Sequence, residues 1–461
     1  MTIRPNSIEA RDIASVLHPY TNSSVHEKIG PLVISHGEGI HVIDDSGNRY
    51  IEALSGLFCA SLGFSEERLV EAATRQMRKL PFYHTFGHKT NEPSVELAER
   101  LIALAPVPMS KVFFANSGSE ANDTAMKLVW YYHNAIGKPH KKKIISRIKA
   151  YHGVTIASAS LTGLPNNHRD FDLPIDRVLH TDCPGFYRFG LPGESEEDFA
   201  TRCARSLEDL IEREGAETIG AFFAEPILVS GGCIVPPPTY YEKIQAILEK
   251  HDILLIADEV ICGFGRTGNM FGCETFGMKP DMITMAKQLS AAYQPISALM
   301  ISERIYRALV SESEKIGTFA HGFTYGGHPV AAAVALETLK IYEERDILGH
   351  VRQIIPGFQR GLRELGEHKL VGEARGKGLV GTLELVEDKA TRRNFDPALG
   401  VLAYAGERAQ AHGVMTRCMG DNVNLCPPLI ITEAEITDLM GRIKLALDDT
   451  LVWLENGGGS R

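Results

Sequence analysis

Asp258 closes the apolar run Leu254-Leu255-Ile256-Ala257, and Lys287 follows Asp281-Met282-Ile283-Thr284-Met285-Ala286. A lysine held away from water binds its proton less tightly, and its free amine attacks a carbonyl carbon to form a Schiff base. A carboxylate near such a base suits the ring nitrogen of a pyridoxal cofactor, which it keeps protonated. The same two residues would also make a structural ion pair, and spacing alone leaves both readings open.

A phosphate on that cofactor needs an anion site. Ala115-Asn116-Ser117-Gly118-Ser119-Glu120-Ala121-Asn122 lies between an apolar strand and a strongly helical run. Unpaired N–H groups and the positive end of a helix dipole meet at such a junction, and the hydroxyls of Ser117 and Ser119 would add donors. A serine N-cap with no ligand is the plainer alternative. Two other motifs lead nowhere. Gly263-Phe264-Gly265-Arg266-Thr267-Gly268 has the G-x-G-x-x-G spacing of a dinucleotide site, yet it runs into Asn269-Met270-Phe271-Gly272 rather than opening a helix. Ala257-Asp258-Glu259 resembles the acidic strand of a nucleotide triphosphatase, but no G-x-x-x-x-G-K-[ST] loop accompanies it.

Between about residues 95 and 330, short β-rich runs alternate with helix-length amphipathic runs, which predicts a mainly parallel sheet covered on both faces. Candidate strands are 112–115, 143–148, 219–224, 253–257, 282–285 and 296–301; candidate helices include 119–136, 240–251 and 329–343. Ligands of such sheets sit at the carboxyl ends of the strands, where Asp258 and Lys287 fall. The hairpin signal Asp45-Ser46-Gly47-Asn48 marks a different pattern near the start of the chain.

The chain has 461 residues, 44% of them hydrophobic and 23% charged, with a net charge of −10, so no basic excess draws it to nucleic acid. No apolar run approaches a membrane span, and the first residues carry no apolar signal region. The eight cysteines are scattered without C-x-x-C pairs and no histidines lie at zinc-finger spacing, so reduced thiols, a cytoplasmic location and no metal are expected.

With Ser117-Gly118-Ser119-Glu120-Ala121-Asn122, Tyr151-His152-Gly153, Ala224-Glu225-Pro226, Asp258-Glu259-Val260, Ala286-Lys287 and Gly322-Phe323-Thr324-Tyr325-Gly326-Gly327-His328-Pro329 in one order, the chain resembles the class III aminotransferases, most of all the pyruvate-using ω-transaminases. The resemblance implies the type I pyridoxal-phosphate fold, an α/β protein with a mainly parallel sheet in a large domain (60–335). A discontinuous α+β small domain would be made from both termini (1–59 and 336–455); apart from the resemblance, the composition Asn-Gly-Gly-Gly-Ser-Arg of 456–461 predicts a disordered tail. It implies pyridoxal 5'-phosphate on Lys287, with Asp258 at the pyridine nitrogen and Val260 and Tyr151 on the two ring faces. Gly118 and Ser119 would take the phosphate, Thr324 would reach it from the neighbouring subunit, and Glu225 would stand as a polar neighbour. Tyr20, Phe58, Phe86, Tyr151 and Arg417 would line the substrate pocket. Arg417 would swing in to pair with a carboxylate and out for an uncharged amine, while Phe86 would serve the partner's pocket. The implied partners are an amine donor, a keto acid acceptor such as pyruvate, and a second copy in a homodimer, with a tetramer left open.

Three positions depart from the family pattern. Phe58 stands where amine-accepting members usually have Trp, Gln288 replaces the Gly after the lysine, and Gly326 stands where Ser is common. They bear on substrate size and lysine mobility. Decarboxylation and racemisation use the same Lys–Asp pair and are the rival reactions; a nucleotide-binding regulatory protein using 263–268 is the rival of another class.

Overall fold

A computed structural model describes residues 3–459. Three strands, β1 (Ile34–Glu38), β2 (His41–Asp44) and β3 (Arg49–Glu52), form an antiparallel meander near the start. The expected hairpin joins the last two: Asp44 accepts the amides of Ser46 and Asn48, and Gly47 takes the positive φ of the turn.

The central sheet holds β4 (Lys111–Ala115), β5 (Lys143–Arg147), β6 (Val178–Thr181), β7 (Ile219–Ala224), β8 (Leu254–Asp258), β9 (Met282–Met285) and β10 (Ser297–Ile301), in the order β4-β10-β9-β8-β7-β5-β6. Its neighbours pair in parallel except at β10, which runs antiparallel to both β4 and β9. Every residue of β7, β8, β9 and β10 is buried. Side chains alternate between two cores: Phe222, Leu255 and Ile283 face one, whereas Phe223, Ile256 and Met282 face the other with Met126 and Val129 of helix Gly118–Ala135. That two-sided burial accounts for near-continuous apolar strands in place of polar alternation. Strand β6, whose four residues include His180 and Thr181, carries too weak an apolar signal to be read from the sequence.

Two further strands, β11 (Val371–Lys377) and β12 (Val380–Leu385), pair in a hairpin; β13 (Val414–Met415), β14 (Arg417–Met419) and β15 (Asn422–Leu425) follow. Strand β13 joins β3 in parallel, Val414 opposite Ile51, which ties the C-terminal part of the chain to the N-terminal meander. β14 and β15 extend the sheet of β11 and β12 and bring Arg417 beside the central sheet's carboxyl edge. Of the tail at 456–461, residues 456–459 turn back on the last helix, the Gly458 amide donating to the Trp453 carbonyl; 460 and 461 lie outside the described residues. No helix among the described residues is long and apolar enough to cross a membrane.

Candidate active site

A cavity of about 1060 Å³ opens at the carboxyl edge of the central sheet. Asp258, Lys287, Gly118, Ser119, Tyr151, Glu225, Val260, Phe58, Tyr20 and Arg417 all line it, so ten of the twelve site residues expected from the sequence share one space.

Asp258 ends β8 and is 3% exposed. Its Oδ2 accepts from Asn122 Nδ2 at 2.8 Å and from His152 Nδ1 at 2.8 Å, and its Oδ1 accepts the Val260 amide at 3.0 Å. A carboxylate offers about four acceptor sites, so three are taken and one is left toward the cavity. Asn122 is itself fixed, since its Nδ2 also donates to the His152 carbonyl and its Oδ1 accepts from Thr284. Neither Asn122 nor His152 had a role in the sequence reading. Their places in the quoted motifs were the only signal, because the partnership forms between the helix after β4, the loop after β5 and the end of β8. Asp258 takes its proton donors from His152 and Asn122, not from Lys287, so the simple ion-pair alternative does not describe this site.

Lys287 leaves β9 into a short turn, with φ +45. Its Nζ lies 5.3 Å from the centre of the Phe58 ring. Burial lowers its pKa from the ordinary value, opposed by the nearby Cys59, Asp258 and Glu225. Next to it, Gln288 points away: its Nε2 donates to the carbonyls of Ile261 and Gly263, and its Oε1 accepts from Arg266. The fully buried Arg266 donates onward to the carbonyls of Leu379 and Pro427. Thus the glycine-rich stretch 263–268 is a loop stitched under the lysine turn, and Gln288 anchors that turn from the side facing away from the cavity.

Glu225 is buried, and desolvation carries its pKa up to about 7; its Oε1 accepts the Tyr151 amide at 2.9 Å. The Tyr151 hydroxyl stands 3.5 Å from that of Tyr20, which accepts from Asn167 Nδ2 at 2.7 Å.

At the helix start, Ser117 is the N-cap, its hydroxyl accepting the Glu120 amide at 3.2 Å. Ser117 is thus taken up by capping, while the amides of Gly118 and Ser119 take no acceptor among the described residues and stay available to a ligand. Glycines make the approach close. A Cβ at Gly118 would stand 3.1 Å from both Val260 methyls, and one at Gly153, where φ is +133, would reach the Ser119 hydroxyl at 2.3 Å.

Thr324 and Phe86 do not line the cavity of this chain; both are exposed, and Phe86 packs on the loop that holds Thr324, since a Cβ at Gly322 would meet the Phe86 ring at 2.8 Å. Arg417, on β14, forms no ion pair among the described residues and holds its guanidinium 5.4 Å from the centre of the Tyr20 ring.

The aminotransferase class-III family profile matches residues 22–447. A protein named gamma aminobutyrate transaminase 3, chloroplastic, from Solanum lycopersicum is 52% identical over 451 residues, covering 96% of this chain and 87% of its own. Among solved structures, the omega transaminase from Pseudomonas jessenii in complex with PMP superposes with a TM-score of 0.96 at 55% identity, over 98% of this chain and 100% of that one. A transaminase with L-ala gives 0.91 at 59% identity, over 92% and 100%.

Proposed function

We propose that this chain, which belongs to the class-III aminotransferases, moves an amino group from a primary amine or an ω-amino acid to pyruvate. It is an enzyme that uses pyridoxal phosphate. The cavity fits that group: the acceptor site left on buried Asp258 suits a ring N–H, the free amides of Gly118 and Ser119 suit a phosphate, and Lys287 opens into the same space. When bound, the cofactor supplies an electron-withdrawing ring that stabilises negative charge on the substrate carbon bearing nitrogen.

The residues then divide the labour. Lys287, its pKa lowered by burial, would anchor the cofactor through its amine and would carry a proton to and from the substrate carbon once displaced. Asp258, oriented by His152 and Asn122, holds a proton at the ring nitrogen. Val260 and Tyr151, which both line the cavity, would cover the two faces of the bound ring and exclude water from it. Phe58 walls the space beside the lysine amine and limits donor size.

The observation that carries the substrate reading is Arg417, a cation in the cavity wall without a carboxylate partner among the described residues. A guanidinium fork pairs bidentately with a carboxylate such as that of pyruvate or an ω-amino acid. The names of the relatives support the reading, since gamma aminobutyrate is an ω-amino acid and L-alanine is the amine counterpart of pyruvate. A donor panel tests it. Alanine should form from pyruvate with gamma aminobutyrate or an arylalkylamine as donor; no alanine from any such donor, with turnover on another keto acid, would replace pyruvate as the acceptor.

The exposed pairing of Phe86 with the loop holding Thr324 supports a homodimer in which that patch completes the partner's site. Light scattering at assay concentration should show a dimer, and an active monomer would refute it.

A further inference from the structure

The N-terminal helices Ile8–Ser15 and Ser23–Ile29 make a hairpin whose stability is hard to account for. They have 8 and 7 residues, and neither contains a buried residue. Isolated helices shorter than about 12–15 residues are marginal in water. Their caps are sound, with Ser7 accepting the Ala10 amide and Asn22 accepting those of Ser24 and Val25, but capping does not hold one helix against another. The hairpin is nonetheless closed: a Cβ at Gly30, at its end, would meet Ile3, Glu9 and Ile13 within 3.7 Å.

At the centre of the hairpin three side chains converge. His18 Nε2 lies 2.8 Å from Asp12 Oδ1 and 3.0 Å from Oδ2, and His26 Nε2 lies 3.0 Å from the same Oδ1. The two imidazoles pack with centroids 4.1 Å apart, and one potential ligand atom from each of the three residues falls within 4.8 Å of the others. All three groups are largely enclosed, their side chains being 11–29% exposed. Two histidines that present the same ring nitrogen to one carboxylate match a His₂Asp donor set. Zinc takes these donors at about 2.0–2.2 Å in a tetrahedron, which spaces them about 3.4 Å apart. An opening of about half an ångström would seat the ion, with a water as fourth ligand. The six- and eight-residue separations in sequence are unlike zinc-finger spacing, which is why only the folded hairpin reveals the set.

We propose that Asp12, His18 and His26 form a zinc-type divalent-cation site that staples the N-terminal hairpin and so holds Tyr20 over the active-site cavity. Tyr20 lies in the loop between two of the ligands, at φ +51, with its hydroxyl on Asn167 and its ring beside Arg417. A cation that fixes the ends of this loop fixes the part of the cavity wall that faces the substrate arginine. The site is independent of the transamination reading, since none of its ligands lines the cavity.

The test uses the full-length holoenzyme, treated with a chelator and then freed of it. Titration with Co²⁺ should show one equivalent per chain with the intense visible bands of four-coordinate cobalt, bleached by Zn²⁺. His18→Gln and His26→Gln should each weaken that equivalent by at least about tenfold, with unchanged far-UV circular dichroism. No such equivalent, or one that survives in both variants, would mean that the three groups form only a hydrogen-bonded ion pair and would overturn the site. Trypsin cleavage after Arg11 and Lys28 reads the staple itself. Zn²⁺ at about ten times its Kd should slow cleavage about tenfold in the wild type and not in the variants; equal rates with and without Zn²⁺ would overturn the stapling.

Discussion

The two walls of the active-site cavity are built to different standards. On the sheet side, Asp258 is held by three donors, one of which, Asn122, is itself held at both ends, and Gln288 ties the lysine turn to the loop below. On the opposite side, Tyr20 is 62% exposed on a hairpin without buried residues, and Arg417 has a ring beside it but no ion-pair partner among the described residues. Asp258 and the lysine turn are thus over-determined by buried hydrogen bonds, whereas the Arg417 guanidinium has no ion pair to fix it among the described residues. A transaminase binds two unlike partners in one pocket in turn, and a fixed, desolvated arginine would face an apolar donor as an unpaired charge.

Changes on the rigid wall should be severe for all substrates alike. Lys287→Ala should lower turnover by up to about 10⁴-fold with every donor and acceptor, while gel filtration still recovers cofactor with the protein, because the other cavity contacts remain. Near-normal turnover would remove the lysine from the reaction. Asp258→Asn should keep cofactor bound and cost about 10²–10³ in kcat; a loss of less than about tenfold would make the carboxylate structural only.

A smaller effect concerns the stability of the same wall. The raised pKa of Glu225, about 7, means that the folded protein binds a proton there more tightly than the unfolded chain does. This contribution is therefore present at low pH and is lost as pH rises from the ordinary carboxylate range toward 7, so stability should fall across that window. Glu225→Gln should flatten the fall, by an amount on the order of 3 kcal/mol between its ends. Urea unfolding at several pH values reads it, and parallel curves for wild type and variant would show that Glu225 keeps its charge when buried.

Much of the rigid wall was legible in the sequence, and the reason is local. Asp258 ends a buried strand and Lys287 follows the end of another by two residues, and buried strands of a two-faced sheet read as short apolar runs with a conspicuous polar residue at or just past the exit. The helix start at 118 was legible as a strand, turn and helix junction, although Ser117 proved to be the cap and left the amides without an acceptor to its neighbours. The donors to Asp258 were not legible as such, since His152 and Asn122 meet it only when three separate crossovers are packed. The roles of Phe58 and Arg417 came from the family resemblance, and no local pattern marks a strand as short as β14. The hairpin cluster of Asp12, His18 and His26 was missed altogether, because its three members come from one helix, the loop after it and the next helix, and only their packing brings them together.

The contrast between the walls is tested most directly by Arg417→Ala, followed in separate half-reactions. Loss of a charged hydrogen bond of about 1.5–3 kcal/mol should raise the apparent KM for pyruvate by about 10–100-fold. The half-reaction with an uncharged arylalkylamine, followed by the change in cofactor absorbance without any keto acid, should keep its rate. If the amine half-reaction falls as far as the pyruvate half-reaction, Arg417 holds the fold of the loop rather than reading a carboxylate, and the account of one rigid and one adaptable wall is contradicted.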